Sequence, residues 1–287
     1  MERTAVTGWA SIGQHWPGRD LPGRRLPRRA FGYRRHDVDG VRWHVRESLG
    51  ELPPDAPTVV LVPGLGSGSY LLAHGARLAA AAKVWIVDLP NFGRSRAPRR
   101  PATIPEWAGR LAQWHDAVVR VPAMYVGSSF GCQVVSALAA DRPDVVDRVV
   151  LVGPTFDAAA RRLLPQLARW AVTTARERPS LGPKLLVSYL QSGPLTPMRA
   201  FFAALPDPTE ERLRQVSAPV LIVRGEHDRI VPAEWAARLA ATAPRARLAV
   251  VSGVSHTVDY AAPDELADLT LPFLTQPPTD GWRTRSA

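Results

Sequence analysis

Two hydrophobic rhythms run along the chain. Val41, Trp43 and Val45 alternate with Arg42, His44 and Arg46, the period-two signature of a strand with one buried face. Asp39-Gly40 just ahead of them is a hairpin turn dipeptide, which predicts Tyr33–Val38 as the partner strand. The folded domain is therefore expected to begin near Phe31. Six later runs are almost continuously apolar: Thr58–Pro63, Val84–Val87, Met124–Val126, Arg148–Val152, Val220–Val223 and Leu248–Val251. Runs without alternation predict strands covered on both faces, as in a parallel sheet. Helical spacing fills the gaps. Ile104–Val121 carries Trp107, Leu111, Trp114 and Val118 three or four apart. Val134, Val135, Leu138 and Ala139 form a second stripe, and Ala233–Ala241 and Pro263–Leu274 two more. Strand and helix alternate, so the pattern predicts an α/β fold with right-handed crossovers.

One interval breaks the alternation. Between Pro154 and Pro219 no strand pattern occurs. Asp157–Arg178 reads as one long helix with Pro165 as a candidate kink, followed by helices over Pro183–Gln191 and Thr196–Leu205.

Composition narrows the picture only in places. The chain has 287 residues, 46% hydrophobic and 22% charged, and one cysteine, Cys132. A lone cysteine excludes an intrachain disulfide framework, a cysteine zinc site and an iron–sulfur cluster. No apolar run approaches the ~18 residues of a membrane span, and the first residues show no secretory pattern. The expectation is a cytoplasmic protein with no membrane partner. The net charge of +10 raises the question of nucleic acid. Residues 1–35 hold eight arginines against Glu2 and Asp20, so the charge is concentrated in a Pro/Gly/Arg-rich arm over residues 1–30. Such an arm cannot build a core. A solvated arm is expected, with no nucleic-acid partner, and residues 276–287 read as a loose tail.

Gly127-Ser128-Ser129-Phe130-Gly131 is a G-x-S-x-G that follows an apolar strand and opens a helix. In that context the central serine sits on a sharp turn with its Oγ raised at the carboxyl end of the sheet. A hydroxyl needs a base, and the base needs an orienting acid. Gly225-Glu226-His227-Asp228 ends one apolar run and Ser252-Gly253-Val254-Ser255-His256 follows the last. Ser129, Asp228 and His256 thus fall at three strand ends on one sheet edge. Asp157, past another strand, is an alternative acid. Oxyanion stabilisation needs two N–H groups. Phe130 supplies one, and Leu65, in the glycine-rich loop Pro63-Gly64-Leu65-Gly66-Ser67-Gly68, is the candidate for the other. That loop lacks the Gly-Lys-Ser/Thr of a phosphate cradle. Cys132 reads as packing beneath the turn, and Ser128 as structural. No metal or other cofactor is called for.

These residues, with Asp88-Leu89-Pro90-Asn91-Phe92-Gly93-Arg94-Ser95, resemble the α/β-hydrolase superfamily from about Phe31 to Leu274. The resemblance implies an eight-stranded, mostly parallel sheet flanked by helices. It implies a core over residues 31–155 and 218–275 and a helical cap over 156–217, inserted after the sixth strand. It also implies Ser129 as nucleophile, Asp228 as acid and His256 as base. The chain departs from the family in having Pro63-Gly64 where His-Gly is usual. A serine nucleophile argues against the carboxylate-nucleophile branches. The implied activity is hydrolysis of a carboxylic ester, thioester or lactone, on a small-molecule acyl substrate. A lyase, C–C bond hydrolase, acyl-eliminating enzyme or cyclase using the same triad is the alternative. Within the cap, Trp170, Tyr189, Met198 and Phe201, with Phe156 and Phe202, are the candidate substrate lining.

Overall fold

A computed structural model describes residues 30–98, 103–157, 163–193 and 195–275. Nearly all of the expected arm and the whole of the expected tail lie outside these residues. Eight strands form one sheet: β1 Phe31–Val38, β2 Val41–Ser48, β3 Thr58–Val62, β4 Lys83–Val87, β5 Ala123–Ser128, β6 Val146–Val152, β7 Val220–Gly225 and β8 Ala246–Val251. Their order is β1-β2-β4-β3-β5-β6-β7-β8. β2 is antiparallel to both β1 and β4, and the remaining pairs are parallel. The helices are α1 Leu72–Leu78, α2 Ile104–Trp114, α3 Phe130–Asp141, α4 Leu163–Thr174, α5 Leu181–Ser192, α6 Leu195–Ala204, α7 Thr209–Leu213, α8 Ala233–Thr242, α9 Val258–Ala261 and α10 Pro263–Thr275.

The unbroken apolar runs have the expected cause. Val60, Val62, Tyr125, Val149, Leu151 and Ile222 point into one core, shared with α2, α3 and α8. Their neighbours Val59, Leu61, Met124, Val126, Val150 and Val152 point into a second core under α1 and α10. Alternate side chains leave opposite faces of a strand, so a strand covered twice has no polar position to spare. In the hairpin, Asp39 and Gly40 both take positive φ, 47° and 73°, matching a two-residue turn of the Asp-Gly kind.

Two helix expectations need correction. The helix expected over Asp157–Arg178 is shorter. Asp157 is not helical, and α4 runs from Leu163 to Thr174. Pro165 is the third residue of α4 as described, and residues 158–162 just ahead of it, on which the kink expectation bears, lie outside the described residues. After Thr174 the backbone tightens through Arg176 N–H to Thr173 O and Glu177 N–H to Thr174 O, which ends the helix. The helix expected to Val121 becomes α-helical only to Trp114. A wider turn, His115–Val119, follows and closes at Arg120 with φ 62°. The short α7 had no periodic pattern long enough to announce it.

Candidate active site

β5 delivers the chain to Ser129, and α3 leaves from Phe130. Ser129 has φ 52° and ψ −118°, a conformation few non-glycine residues adopt. The flanking glycines make the turn possible. A Cβ on Gly127 would come within 2.7 Å of Gly131 O, and one on Gly131 would strike Val62 O and stand 2.6 Å from Pro63 O. Ser129 N–H donates to Val152 O at 2.8 Å, fixing the turn to β6.

The structure brings the three strand-end residues together. His256 Nδ1 lies 2.7 Å from Asp228 Oδ2, and His256 Nε2 lies 2.9 Å from Ser129 Oγ. An ionised carboxylate only accepts, so Nδ1 carries the proton and Nε2 is free to accept from the serine hydroxyl. Asp228 Oδ1 accepts from Ile230 N–H at 2.8 Å and Val231 N–H at 3.1 Å. Burial works against the His256 imidazolium. The charge and hydrogen bond of Asp228, with Glu177 and Asp259 adding, outweigh it and hold His256 above its ordinary value. The alternative acid, Asp157, is engaged elsewhere: Arg169 Nη1 donates to its Oδ2 at 2.9 Å.

Among the described residues, the N–H groups of Leu65 and Phe130 meet no hydrogen-bond acceptor. The Leu65 loop is pinned on both sides. Gly64 N–H donates to Tyr70 Oη at 2.7 Å, and Gly68 N–H donates to Asp88 Oδ1 at 2.8 Å. Asp88 is fully buried. Burial pushes its carboxyl up, but the bond from His44 and the guanidinium of Arg46 prevail and keep it below the usual range. Tyr70 was not legible as a support, because nothing in Gly68-Ser69-Tyr70 announces a hydroxyl turned back on the loop.

The segment between β6 and β7 reaches the same edge. Glu177 Oε1 accepts from His256 N–H at 2.7 Å and Thr257 N–H at 3.0 Å, and Oε2 accepts from the Thr257 hydroxyl. Thr173 Oγ1 accepts from Arg229 N–H, one residue past Asp228, and Thr173 O accepts from Ser255 Oγ, each at 3.3 Å. Ser188 Oγ accepts from Ser67 N–H at 2.6 Å, and Ser192 Oγ from Gly93 N–H at 2.9 Å. Sequence reading found none of these latches, since each joins positions dozens of residues apart.

The remaining candidates divide. Cys132 is buried, its Sγ–H directed at Gly127 O, and burial pushes its thiol well up. Ser128 Oγ–H donates to the buried Asp259 Oδ2 at 2.8 Å. Phe201 stands edge-on to Phe156 at 5.1 Å and packs on the core. Tyr189 is partly buried. Trp170 and Met198 are each about half in solvent, so as lining they would serve only at an open mouth. Among the described residues no group of three or more His, Cys, Asp or Glu is arranged to hold a metal ion, and no helix is long and apolar enough to cross a membrane.

Known proteins share this architecture. A magnesium-chelatase 30 kDa subunit of Rhodobacter capsulatus is 28% identical over 89% of this chain and 98% of its own. A pimeloyl-acyl-carrier-protein methyl ester esterase of Xanthomonas oryzae pv. oryzae is 25% identical over 77% of this chain and 96% of its own. The crystal structure of an enol-lactonase from Burkholderia xenovorans superposes with a TM-score of 0.67 at 22% identity, covering 85% of this chain and 100% of that one. The model of the alpha/beta hydrolase family matches residues 59–269, and the chain belongs to that family.

Proposed function

We propose that the chain is a serine hydrolase of carboxylic esters, thioesters or lactones, acting through an acyl-enzyme on Ser129. One observation carries the reading: the unbroken relay from Ser129 Oγ through His256 to Asp228, at 2.9 and 2.7 Å, on a strained strand-to-helix turn. A serine hydroxyl is a weak nucleophile until an adjacent base takes its proton. Ser129 Oγ attacks the substrate carbonyl as its proton passes to His256 Nε2. The carbonyl π electrons move onto oxygen, and the N–H groups of Leu65 and Phe130 receive that oxyanion. Collapse breaks the bond to the alcohol or thiol, which takes the proton from His256. Water then attacks the acyl carbon with His256 as base, releasing acid and free Ser129. Asp228 fixes the imidazole tautomer and stabilises the imidazolium throughout. The helices of residues 156–217 act as the cap over this edge. Ester chemistry is also the activity named for the Xanthomonas relative.

A fluorophosphonate probe tests the reading. It is expected to label Ser129 in the wild type and not in His256→Ala. With a slow ester, mass spectrometry of quenched enzyme should find an acyl adduct on the Ser129 peptide. Undiminished turnover in Ser129→Ala would remove the covalent mechanism.

A further inference from the structure

Three consecutive helices between β6 and β7 are inverted relative to an ordinary surface helix. α4 buries Gln166 and Thr173, while Leu164 is 77% exposed and Trp170 51%. α5 buries Leu181 in its first turn and then Ser188 and Ser192, yet Leu186 and Leu190 are 59% and 74% exposed. α6 buries Thr196, Ala200 and Ala204 and turns Leu195, Met198 and Phe202 outward at positions i, i+3 and i+7, one helical stripe. The inward polar groups are already committed, since Thr173, Ser188 and Ser192 bond the loops of the catalytic edge. The large apolar side chains are therefore not a core awaiting closure. Exposed apolar surface on this scale marks an interaction site.

Charge identifies the partner. From residue 163 to 206 the chain has Arg169, Arg176, Arg178, Lys184 and Arg199 against a single acid, Glu177; Arg169 is paired with Asp157, which leaves four cations for a partner. That acid is held by His256 and Thr257, and α4, α5 and α6 contain no Asp or Glu. A second copy of this face would set cations against cations. So would residues 1–29, which carry six arginines against Glu2 and Asp20. Leucine, tryptophan and phenylalanine interleaved with arginine and lysine match the interface of an anionic bilayer. Helices of 10 to 12 residues are too short to span, so the contact lies on the surface.

We propose that α4–α6 dock the protein on an anionic lipid membrane, their apolar faces in the headgroup region and their cations against the lipid charge. The full chain is tested by co-sedimentation with phosphatidylcholine vesicles, with and without about 30% phosphatidylglycerol. Binding is expected to the anionic vesicles and to fall several-fold when salt rises to roughly 0.5 M. The double variant Leu186→Gln/Leu190→Gln, which changes no charge, should bind about tenfold more weakly with an unaltered melting temperature. A chain lacking residues 1–29 should still bind. No vesicle binding, or equal binding by the double variant, would overturn the proposal. So would binding that disappears only with residues 1–29. A stable dimer that the double variant splits would assign the face to a second copy instead.

Discussion

Ser129 is held at positive φ, and a non-glycine residue there costs on the order of 1–3 kcal/mol that its surroundings must offset. A similar constraint reaches His256, its proposed base, through Gly153. That glycine has φ 62°, and a Cβ on it would stand 2.9 Å from His256 Cε1 and 3.0 Å from Nδ1. Gly153→Ala is expected to push the imidazole off line and lower kcat/KM on esters by about 100-fold, since a displacement near 1 Å has that effect. Full turnover would show that the ring is not fixed from this side. The two candidate acids separate as sharply. Asp228→Asn permits the wrong tautomer and should lower turnover by roughly 10,000-fold. Asp157→Asn weakens ion pairs with Arg169 and Arg238 and should leave turnover within about tenfold, a shortfall showing mainly in thermal unfolding. Steady-state kinetics of the two variants decides, and the reverse order would reassign the acid. Ser129, Asp228 and His256 were legible because each follows a run that reads as a buried parallel strand, which puts all three at one sheet edge, and because the family resemblance implied their roles. Gly153 and Tyr70 were not, because their importance lies in an atom approached across the fold.

At the scale of elements, the end of α4 is where the segment between β6 and β7 meets the catalytic loops. Glu177 holds the backbone on either side of the His256 side chain, and Thr173 holds the loop just past Asp228. The negative charge of Glu177 also contributes to raising His256. In the proposed mechanism His256 must be neutral to accept the serine proton, so turnover is expected to rise with pH through a value above the ordinary ~6.5. Glu177→Gln removes part of the lift and a hydroxyl-accepting oxygen. The rising limb of the pH–kcat/KM profile should move to lower pH, with the plateau reduced roughly tenfold. A merely packing role for Glu177 would leave the limb in place. Linkage gives the same variant a signature in stability. A histidine raised by folding adds stability below its unfolded value, and this contribution fades as pH climbs through the folded one. The gap between wild type and Glu177→Gln should therefore be widest in acid. The strands were placed to within a residue or three from apolar runs, since burial on both faces leaves little ambiguity. Helix ends were less legible. Where α4 stops depends on Thr173 and Glu177 being drawn to loops 50 to 80 residues away, which no local period encodes.

At the scale of the whole molecule, the described sheet takes all eight of its strands from residues 31–251. β1 begins at Phe31, and Leu49 N–H donates to Ala30 O at 3.1 Å, so the open end of the β1–β2 hairpin is tied at the first described residue. Among the described residues Trp43, Trp107 and Trp114 are fully buried, and Trp114 Nε1–H donates to His36 within β1. Of the first 29 residues six are Arg and seven are Pro or Gly, a composition expected to add little to a core. The acidic residues of the proposed site and its supports, Asp228, Glu177 and Asp88, all lie within the described residues. We therefore expect a chain starting at Ala30 to fold, melt within about 2 °C of the full chain, and label at Ser129 at the same rate; a shift that small corresponds to roughly 1 kcal/mol or less in a domain of this size. Differential scanning calorimetry and probe kinetics on the two chains make the comparison. A much lower melting temperature would mean that residues 1–29 cover part of the core, and a faster labelling rate would mean that they shield the mouth of the site.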